Sequence, residues 1–178
     1  TLTKGIEFLF KKNKITHFQG IGKFKSNSEI SIIDKENKET VIESEKIIIC
    51  TGSETSPLPG INFDEEKIIS STGALSLKKV PKKMIVVGGG YIGLEMGSVW
   101  SRLGAEVNVV EFLDHITPGM DKEISGELMK ILKKQGITFN LETKVESIKK
   151  NNKGVEIHVK DKNGKKSKLE SDVALISI

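Results

Sequence analysis

Residues 84–95 constrain the fold more than any other part of the sequence. They read Met-Ile-Val-Val-Gly-Gly-Gly-Tyr-Ile-Gly-Leu-Glu, so a short apolar run leads directly into Gly-x-Gly-x-x-Gly and then into a predicted helix. A strand, a glycine turn and a helix in that order place free backbone N–H groups at the positive end of a helix dipole. This arrangement suits the pyrophosphate of a dinucleotide.

Each glycine of the turn has a predicted role in such a site. Gly88 makes the tight turn, Gly90 lets the backbone approach the pyrophosphate, and Gly93 lets the helix pack closely on the strand. The motif alone is weak evidence, because glycine turns occur widely in proteins. The alternative is therefore a purely structural turn.

Glu111 strengthens the prediction of a dinucleotide site. It ends the next predicted strand, near the spacing of about 20 residues expected for an acid that binds the adenosine ribose. A carboxylate accepts hydrogen bonds from a ribose 2′-OH but repels a 2′-phosphate, so we expect NAD to be favoured over NADP. The alternative is an exposed glutamate at the end of a strand.

Tyr91 in the turn and Glu95 in the following helix each have two possible roles. Glu95 lies on the first turn of the predicted helix, where it interacts favourably with the helix dipole or faces the nicotinamide end of a ligand. Tyr91 covers a nicotinamide pocket or only packs against its neighbours.

The hydrophobic pattern around the turn predicts β-α-β-α-β over residues 84–141. Three hairpin strands follow at 145–150, 154–160 and 167–169, and a last apolar strand at 172–178. The fold class that we predict is α/β, a three-layer Rossmann-like NAD-binding domain with a β-meander.

The first part of the chain predicts a different unit. A short helix within residues 1–14 is followed by meander strands at 15–24, 29–33 and 40–43, and by an apolar strand at 46–50. Because that strand is continuously apolar, we expect it to be buried in a parallel sheet, with Cys50 as a small buried side chain. Pro57, Pro59 and Gly60 break regular structure, and residues 62–71 have the polar character of a crossing segment, so we expect a domain boundary between about residues 56 and 72.

Composition excludes several classes of function. The chain has 178 residues and a net charge of +4, yet Arg102 is the only arginine among 28 basic residues, so the lysines predict a solvated surface rather than a nucleic-acid site. Cys50 is the only cysteine, which excludes an internal disulfide and a cysteine metal cluster. No apolar run approaches the length of a membrane span. The first residues resemble neither a signal nor a transit peptide, and we interpret them as a start within a longer protein.

Several sequence blocks in register resemble the flavin-dependent pyridine nucleotide-disulfide oxidoreductase family, and within it the dihydrolipoamide dehydrogenases. The blocks cover nearly the full chain and lie at 2–5, 20–24, 47–53, 71–75, 88–95, 109–112 and 141–145. Cys50 stands where the family usually has alanine.

The resemblance implies a parent enzyme that oxidises protein-bound dihydrolipoamide through a redox disulfide and FAD, with NAD⁺ as the acceptor. It implies contacts with NAD by Gly88, Gly89, Gly90, Tyr91, Ile92, Gly93, Leu94, Glu95, Glu111 and Val145, the last against adenine. It implies contacts with FAD by Gly22, Thr51, Gly52 and Ser53. Residues 1–70 would then belong to a partial FAD-binding domain, a meander plus a strand, and residues 71–178 to the NAD-binding domain.

Family motifs that carry the chemistry are absent from the sequence. These are the Cys-x-x-x-x-Cys disulfide, the N-terminal FAD glycine turn, the Gly-Asp flavin motif and the C-terminal His-Glu pair. We therefore expect an internal part of such an enzyme, with no catalytic and no metal-binding residue, that binds NAD(H) and does not retain FAD alone.

The resemblance also implies a parent that forms a homodimer and associates with a 2-oxoacid dehydrogenase complex, in the bacterial cytoplasm or the mitochondrial matrix of a eukaryote. Two alternatives remain. The first is a related flavoprotein, such as an NADH oxidase or a glutathione-reductase-like enzyme, and the second is a non-catalytic nucleotide-binding module.

Overall fold

The computed structural model describes residues 2–56 and 58–178. They form two compact units, Thr1–Gly52 and Ser53–Ile178. The first unit ends at Gly52, earlier in the chain than the boundary at residue 70 that was predicted between the FAD-binding and NAD-binding domains. The assignment of residues 1–70 to FAD and of residues 71–178 to NAD stays a prediction. No helix among the described residues is long and apolar enough to cross a membrane.

The first unit consists of one helix and an antiparallel meander. Its elements are α1 (Leu2–Lys12), β1 (Ile21–Phe24), β2 (Glu29–Ile33) and β3 (Glu39–Glu43). In the sheet, β2 lies between β1 and β3, and Ile21 pairs with Ile33. The helix and meander occur as predicted, although β1 begins later than residue 15.

The strand predicted at residues 46–50 is wrong. These residues carry no strand ladder, and Ile48 and Ile49 are 87% and 67% exposed. Cys50, predicted to be buried, is also exposed. An apolar run forms a strand only where a neighbouring strand pairs with its backbone, and the strands described in this unit pair with one another instead.

The second unit contains a parallel sheet and a second meander. Its elements in chain order are β4 (Ile68–Ile69), α2 (Ser71–Ser76), β5 (Lys83–Val87), α3 (Tyr91–Arg102), β6 (Glu106–Val110), α4 (Lys122–Lys134), β7 (Thr138–Asn140), β8 (Thr143–Asn151), β9 (Gly154–Asp161), β10 (Lys166–Ser171) and β11 (Val173–Ile176). The parallel sheet has the order β4-β11-β5-β6-β7, and the meander has the order β10-β9-β8.

Alternate residues of β5 face two different cores, because side chains alternate between the faces of a strand. Met84 and Val86 pack with Leu94 of α3, in the core on the helix side of the sheet. Ile85 and Val87 pack with the core that includes Ile157 of β9. The sheet therefore lies between helices and meander, which confirms the predicted three-layer α/β class.

Candidate functional site

Two glycines let the strand, the turn and the helix pack closely. Gly88 has φ +108°, and a Cβ there would overlap the carbonyl oxygen of Ser177. A Cβ on Gly93 would overlap Ser177 Oγ and lie 2.6 Å from the Gly88 carbonyl oxygen and 2.8 Å from Val86 Cγ1. Both positions therefore require glycine, in the roles that the sequence predicted for them.

No neighbouring atom of the protein requires glycine at position 90. It is the N-cap of α3, with φ −72°, and a Cβ there would meet nothing within 4 Å. The first bond within the helix runs from Leu94 N–H to the Gly90 carbonyl, so the N–H groups of Gly90, Tyr91 and Ile92 have no acceptor among the described residues. These donors at the positive end of the helix dipole are open to an anionic ligand.

The Glu111 side chain is buried beside the turn, with 7% of the residue exposed. Its Oε2 accepts the Gly89 N–H at 2.5 Å, and its Oε1 accepts the Leu113 N–H at 2.7 Å. A Cβ on Gly89 would lie 3.1 Å from Oε2, so glycine allows this close approach. The alternative of an exposed glutamate at the end of the strand is wrong.

A cleft of about 350 Å³ brings three predicted site residues together. Gly88, Glu111 and Val145 line it, beside Phe112 and Lys144. Each carboxylate oxygen of Glu111 keeps a lone pair beyond its backbone bond, so it can accept a bond from a ribose hydroxyl. The cleft thus offers acceptors and an apolar wall to a nucleoside.

A second cleft of about 430 Å³ lies at the other end of the turn. Gly90, Tyr91 and Ile92 line it together with Ser53 and Ser177. Tyr91 is 71% exposed, so it does not pack in a core. The two clefts flank the glycine turn, where the free N–H groups could hold a pyrophosphate between them.

The other predicted residues lie outside these clefts. Leu94 packs in the core, which leaves only its backbone for a ligand, and Glu95 is exposed on α3. Gly22 lies in β1, and Thr51 and Gly52 end the first unit.

Histidines and ionised pairs elsewhere do not add to the site. His115 bonds to Asp114, and this bond lowers the pKa of the Asp114 carboxyl. Lys168, followed by His158, lowers the pKa of Glu156 in the meander. Within residues 2–56 and 58–178 no cluster of three or more His, Cys, Asp or Glu could hold a metal ion.

Sequence reasoning missed two hydrogen bonds around the site, one to Glu111 and one to the glycine turn. Leu113 donates its N–H to Glu111, and Thr117 donates its N–H to the Gly89 carbonyl at 2.8 Å. The sequence indicated a turn at 117–121 but carried no signal that this turn contacts the glycines.

Comparisons with known proteins agree with this geometry. Residues 1–178 match the family model described as pyridine nucleotide-disulphide oxidoreductase. The chain is 52% identical to a mitochondrial dihydrolipoyl dehydrogenase of Pisum sativum, over 99% of this chain and 35% of that protein. It is 55% identical to a dihydrolipoamide dehydrogenase of Chaetomium thermophilum, over 99% of this chain and 36% of that protein.

A solved structure of a flavoprotein disulfide reductase is similar to this chain over nearly its whole length. The flavoprotein disulfide reductase RclA of Escherichia coli, described as induced by HOCl, superposes with a TM-score of 0.73 at 29% identity, covering 98% of this chain and 40% of that one. The chain thus spans a little over a third of the two curated relatives. Because the family model matches all 178 residues, the chain belongs to the pyridine nucleotide-disulphide oxidoreductase family.

Proposed function

We propose that the chain is the pyridine-nucleotide-binding part of a dihydrolipoyl dehydrogenase. The whole enzyme oxidises protein-bound dihydrolipoamide through a redox disulfide and FAD, with NAD⁺ as the electron acceptor. Residues 71–178 bind NAD(H), and residues 1–70 belong to the FAD-binding domain. The observation that carries the proposal is the glycine turn between two clefts, with free N–H groups on one side and the buried Glu111 carboxylate on the other.

In this proposal the chain's own residues bind and orient the cofactor. The N–H groups of Gly90, Tyr91 and Ile92 donate to the pyrophosphate, and the dipole of α3 adds to the attraction. Glu111 accepts from the adenosine ribose, and Val145 lies against the adenine. Bound NAD⁺ supplies a hydride acceptor, and Tyr91 borders the cleft that takes its nicotinamide end.

We further propose that the site prefers NADH to NADPH. A 2′-phosphate placed in the cleft of Glu111 would bring like charges together, and Arg102, the only arginine in the sequence, lies on α3 rather than in this cleft. Lys144 alone among the basic side chains lines the cleft, and it is exposed. Repulsion between like charges in a partly desolvated cleft outweighs attraction to a solvated lysine.

Titration calorimetry of the 178-residue chain with NADH and NADPH tests this proposal. We expect NADH to bind more tightly by about tenfold or more. Glu111→Gln should narrow the difference, whereas Glu106→Gln, at the exposed start of β6, should leave it unchanged. Equal affinity for the two cofactors in the unaltered chain would overturn the ribose assignment.

The activity of the whole enzyme has its own test. A full-length protein containing this chain should reduce NAD⁺ with dihydrolipoamide and consume little O₂ in the presence of NADH. Rapid O₂ consumption without turnover of dihydrolipoamide would favour an NADH oxidase, and binding without either activity would favour a non-catalytic module.

Partners and compartment follow from the same proposal. We propose a homodimer associated with a 2-oxoacid dehydrogenase complex, in the mitochondrial matrix of a eukaryote or the cytoplasm of a bacterium. The name of the Pisum sativum relative, a mitochondrial dihydrolipoyl dehydrogenase, supports the first compartment.

A further inference from the structure

The peptide group between Gly89 and Gly90 is held from the loop that follows β6. Its carbonyl oxygen accepts the Thr117 N–H at 2.8 Å. The Gly90 N–H belongs to the same peptide group, and in a trans peptide it points away from that carbonyl. A bond that fixes the carbonyl therefore fixes the direction in which the Gly90 N–H points.

The adjacent peptide group is held independently. The Gly89 N–H donates to Glu111 Oε2. The peptide planes on both sides of Gly89 are thus fixed by contacts within the described residues. The Gly90 N–H, at the N-cap of α3, has no backbone acceptor among the described residues.

Thr117 adopts a backbone conformation that is unfavourable for its residue type. Its φ is +50°, in the left-handed region that branched side chains rarely enter. It also precedes Pro118, and it is buried. Such a conformation persists only where surrounding contacts hold it in place.

A helix supplies the contacts that hold Thr117. Thr117 Oγ1 donates to the Ile116 carbonyl at 2.8 Å and lies 2.7 Å from Ser125 Oγ. Because the Thr117 hydroxyl has one proton, Ser125 is the donor in the second bond. Ser125 is 2% exposed on α4, a helix that Asp121 caps through the N–H groups of Glu123 and Ile124.

We propose that Thr117, held by Ser125, is a positioning residue that aims the Gly90 N–H at the diphosphate of the bound cofactor. The proposal deepens the proposed function and rests on it. Thr117 lines neither cleft and acts through the Gly89 carbonyl rather than by contact with the ligand.

Substitutions at position 117 separate the backbone conformation from the hydroxyl. Thr117→Val keeps the branched shape but removes the bonds that hold it in the left-handed region. Thr117→Gly also lacks the hydroxyl, but glycine adopts positive φ without strain and keeps the N–H in place. Thr117→Ser keeps the hydroxyl. Ser125→Ala removes only one of the two bonds of the Thr117 hydroxyl, so it is the milder test to use if Thr117→Val does not fold.

Three ligands distinguish an effect on diphosphate binding from an effect on nucleoside binding. Calorimetry with NADH and ADP reports on the diphosphate, and adenosine, titrated by NMR, reports on the cleft of Glu111 and Val145 alone. We expect Thr117→Val to weaken NADH and ADP about five- to tenfold and to leave adenosine unchanged, the effect of one misdirected hydrogen bond. Thr117→Gly and Thr117→Ser should bind all three like the unaltered chain.

Three outcomes would overturn the positioning role. They are equal NADH affinity in all variants, a parallel loss of adenosine affinity in Thr117→Val, and a glycine variant as weak as the valine variant. If the unaltered chain binds neither NADH nor ADP, the proposed function itself fails, and the positioning role fails with it. Binding by the unaltered chain distinguishes the two cases.

Discussion

Glu111 and Gly89, twenty-two positions apart in the sequence, are joined by a hydrogen bond from the Gly89 N–H to Oε2 of the buried carboxylate. The second carboxylate oxygen accepts the Leu113 N–H. One side chain thus ties the glycine turn after β5 to the loop after β6. Because bonds within the chain hold the turn, the turn itself loses less conformational entropy when a ligand binds.

Removing the Glu111 carboxylate should destabilise the fold as well as weaken binding. Glu111→Ala leaves the N–H groups of Gly89 and Leu113 without their acceptors, and each such group costs about 1–3 kcal/mol when it is buried. Glu111→Gln keeps one oxygen and should cost less. Urea unfolding at neutral pH measures both.

Glu106→Gln is the control for that series. Glu106 begins β6, and its side chain is 67% exposed beside Lys83, at 3.6 Å. Exposed ion pairs contribute little, so the change should be below about 0.5 kcal/mol. Equal losses at positions 106 and 111 would contradict a structural role for the buried carboxylate.

Gly90→Ala should separate binding from stability. The added methyl group meets no protein atom within 4 Å, so the only cost to the fold is that of a poorer N-cap, about 1 kcal/mol or less. The methyl group would occupy the space that the pyrophosphate needs, and NADH affinity should fall about tenfold or more. Calorimetry and urea unfolding on the same preparation make the comparison.

Gly126→Ala is the matched control for Gly90→Ala. Gly126 lies within α4, and its added methyl group also meets nothing within 4 Å. Alanine in a helix interior should stabilise the protein by about 0.5–1 kcal/mol and leave NADH binding unchanged. If Gly90→Ala bound NADH like Gly126→Ala, the pyrophosphate would not lie at the start of α3.

Gly93→Ala, unlike Gly126→Ala, should destabilise the fold. Its Cβ would overlap Ser177 Oγ and press on the Gly88 carbonyl and on Val86, and overpacking of this kind costs about 1–3 kcal/mol. Ser177→Ala in the same chain should restore only part of the loss, because the backbone carbonyl of Gly88 cannot move aside. Thermal unfolding of the single and double variants measures the recovery, and full recovery would mean that Ser177 alone limits the space.

The sequence predicted the elements whose signals are local. The apolar run ending at Val87, the glycines at 88–93 and the helical spacing of Ile124, Leu128 and Leu132 placed the β-α-β-α-β unit correctly. It did not predict that β11 lies between β4 and β5. Parallel pairing between Ala174 and Ile68 depends on contacts far apart in the chain, and no local pattern encodes it.

One error and one omission of the sequence prediction share a physical cause. The isoleucines at 48 and 49 have the pattern of a buried strand, but a pattern does not supply the neighbouring strand that burial requires. Likewise Thr117-Pro-Gly indicates a turn without indicating that Thr117 has positive φ, since only its tertiary contacts hold it there. Glu111 was predicted as a ligand of ribose, and its bond to Gly89 could not be read from spacing.

Asp64 should make the stability of the second unit depend on pH. Its Oδ1 accepts the N–H groups of Glu66, Lys67 and Ile68, at 3.0, 2.8 and 2.8 Å, just before and within β4. Burial alone raises the pKa of this carboxyl, but the three N–H bonds and Lys150, 3.0 Å from Oδ2, together lower it far below its ordinary value. The ionised form is therefore the one that the fold favours.

A carboxyl with a lowered pKa in the folded state stabilises the protein above its unfolded pKa, about 4, and this stabilisation is lost as the pH falls towards the folded value. Asp64→Asn should thus cost about 1–2 kcal/mol in urea unfolding at pH 7, and the deficit should shrink between about pH 4 and pH 2. Lys150→Met removes only a half-exposed partner and should cost under about 1 kcal/mol. A deficit for Asp64→Asn that stayed constant down to pH 2 would show that the charge of Asp64 does not stabilise the start of β4.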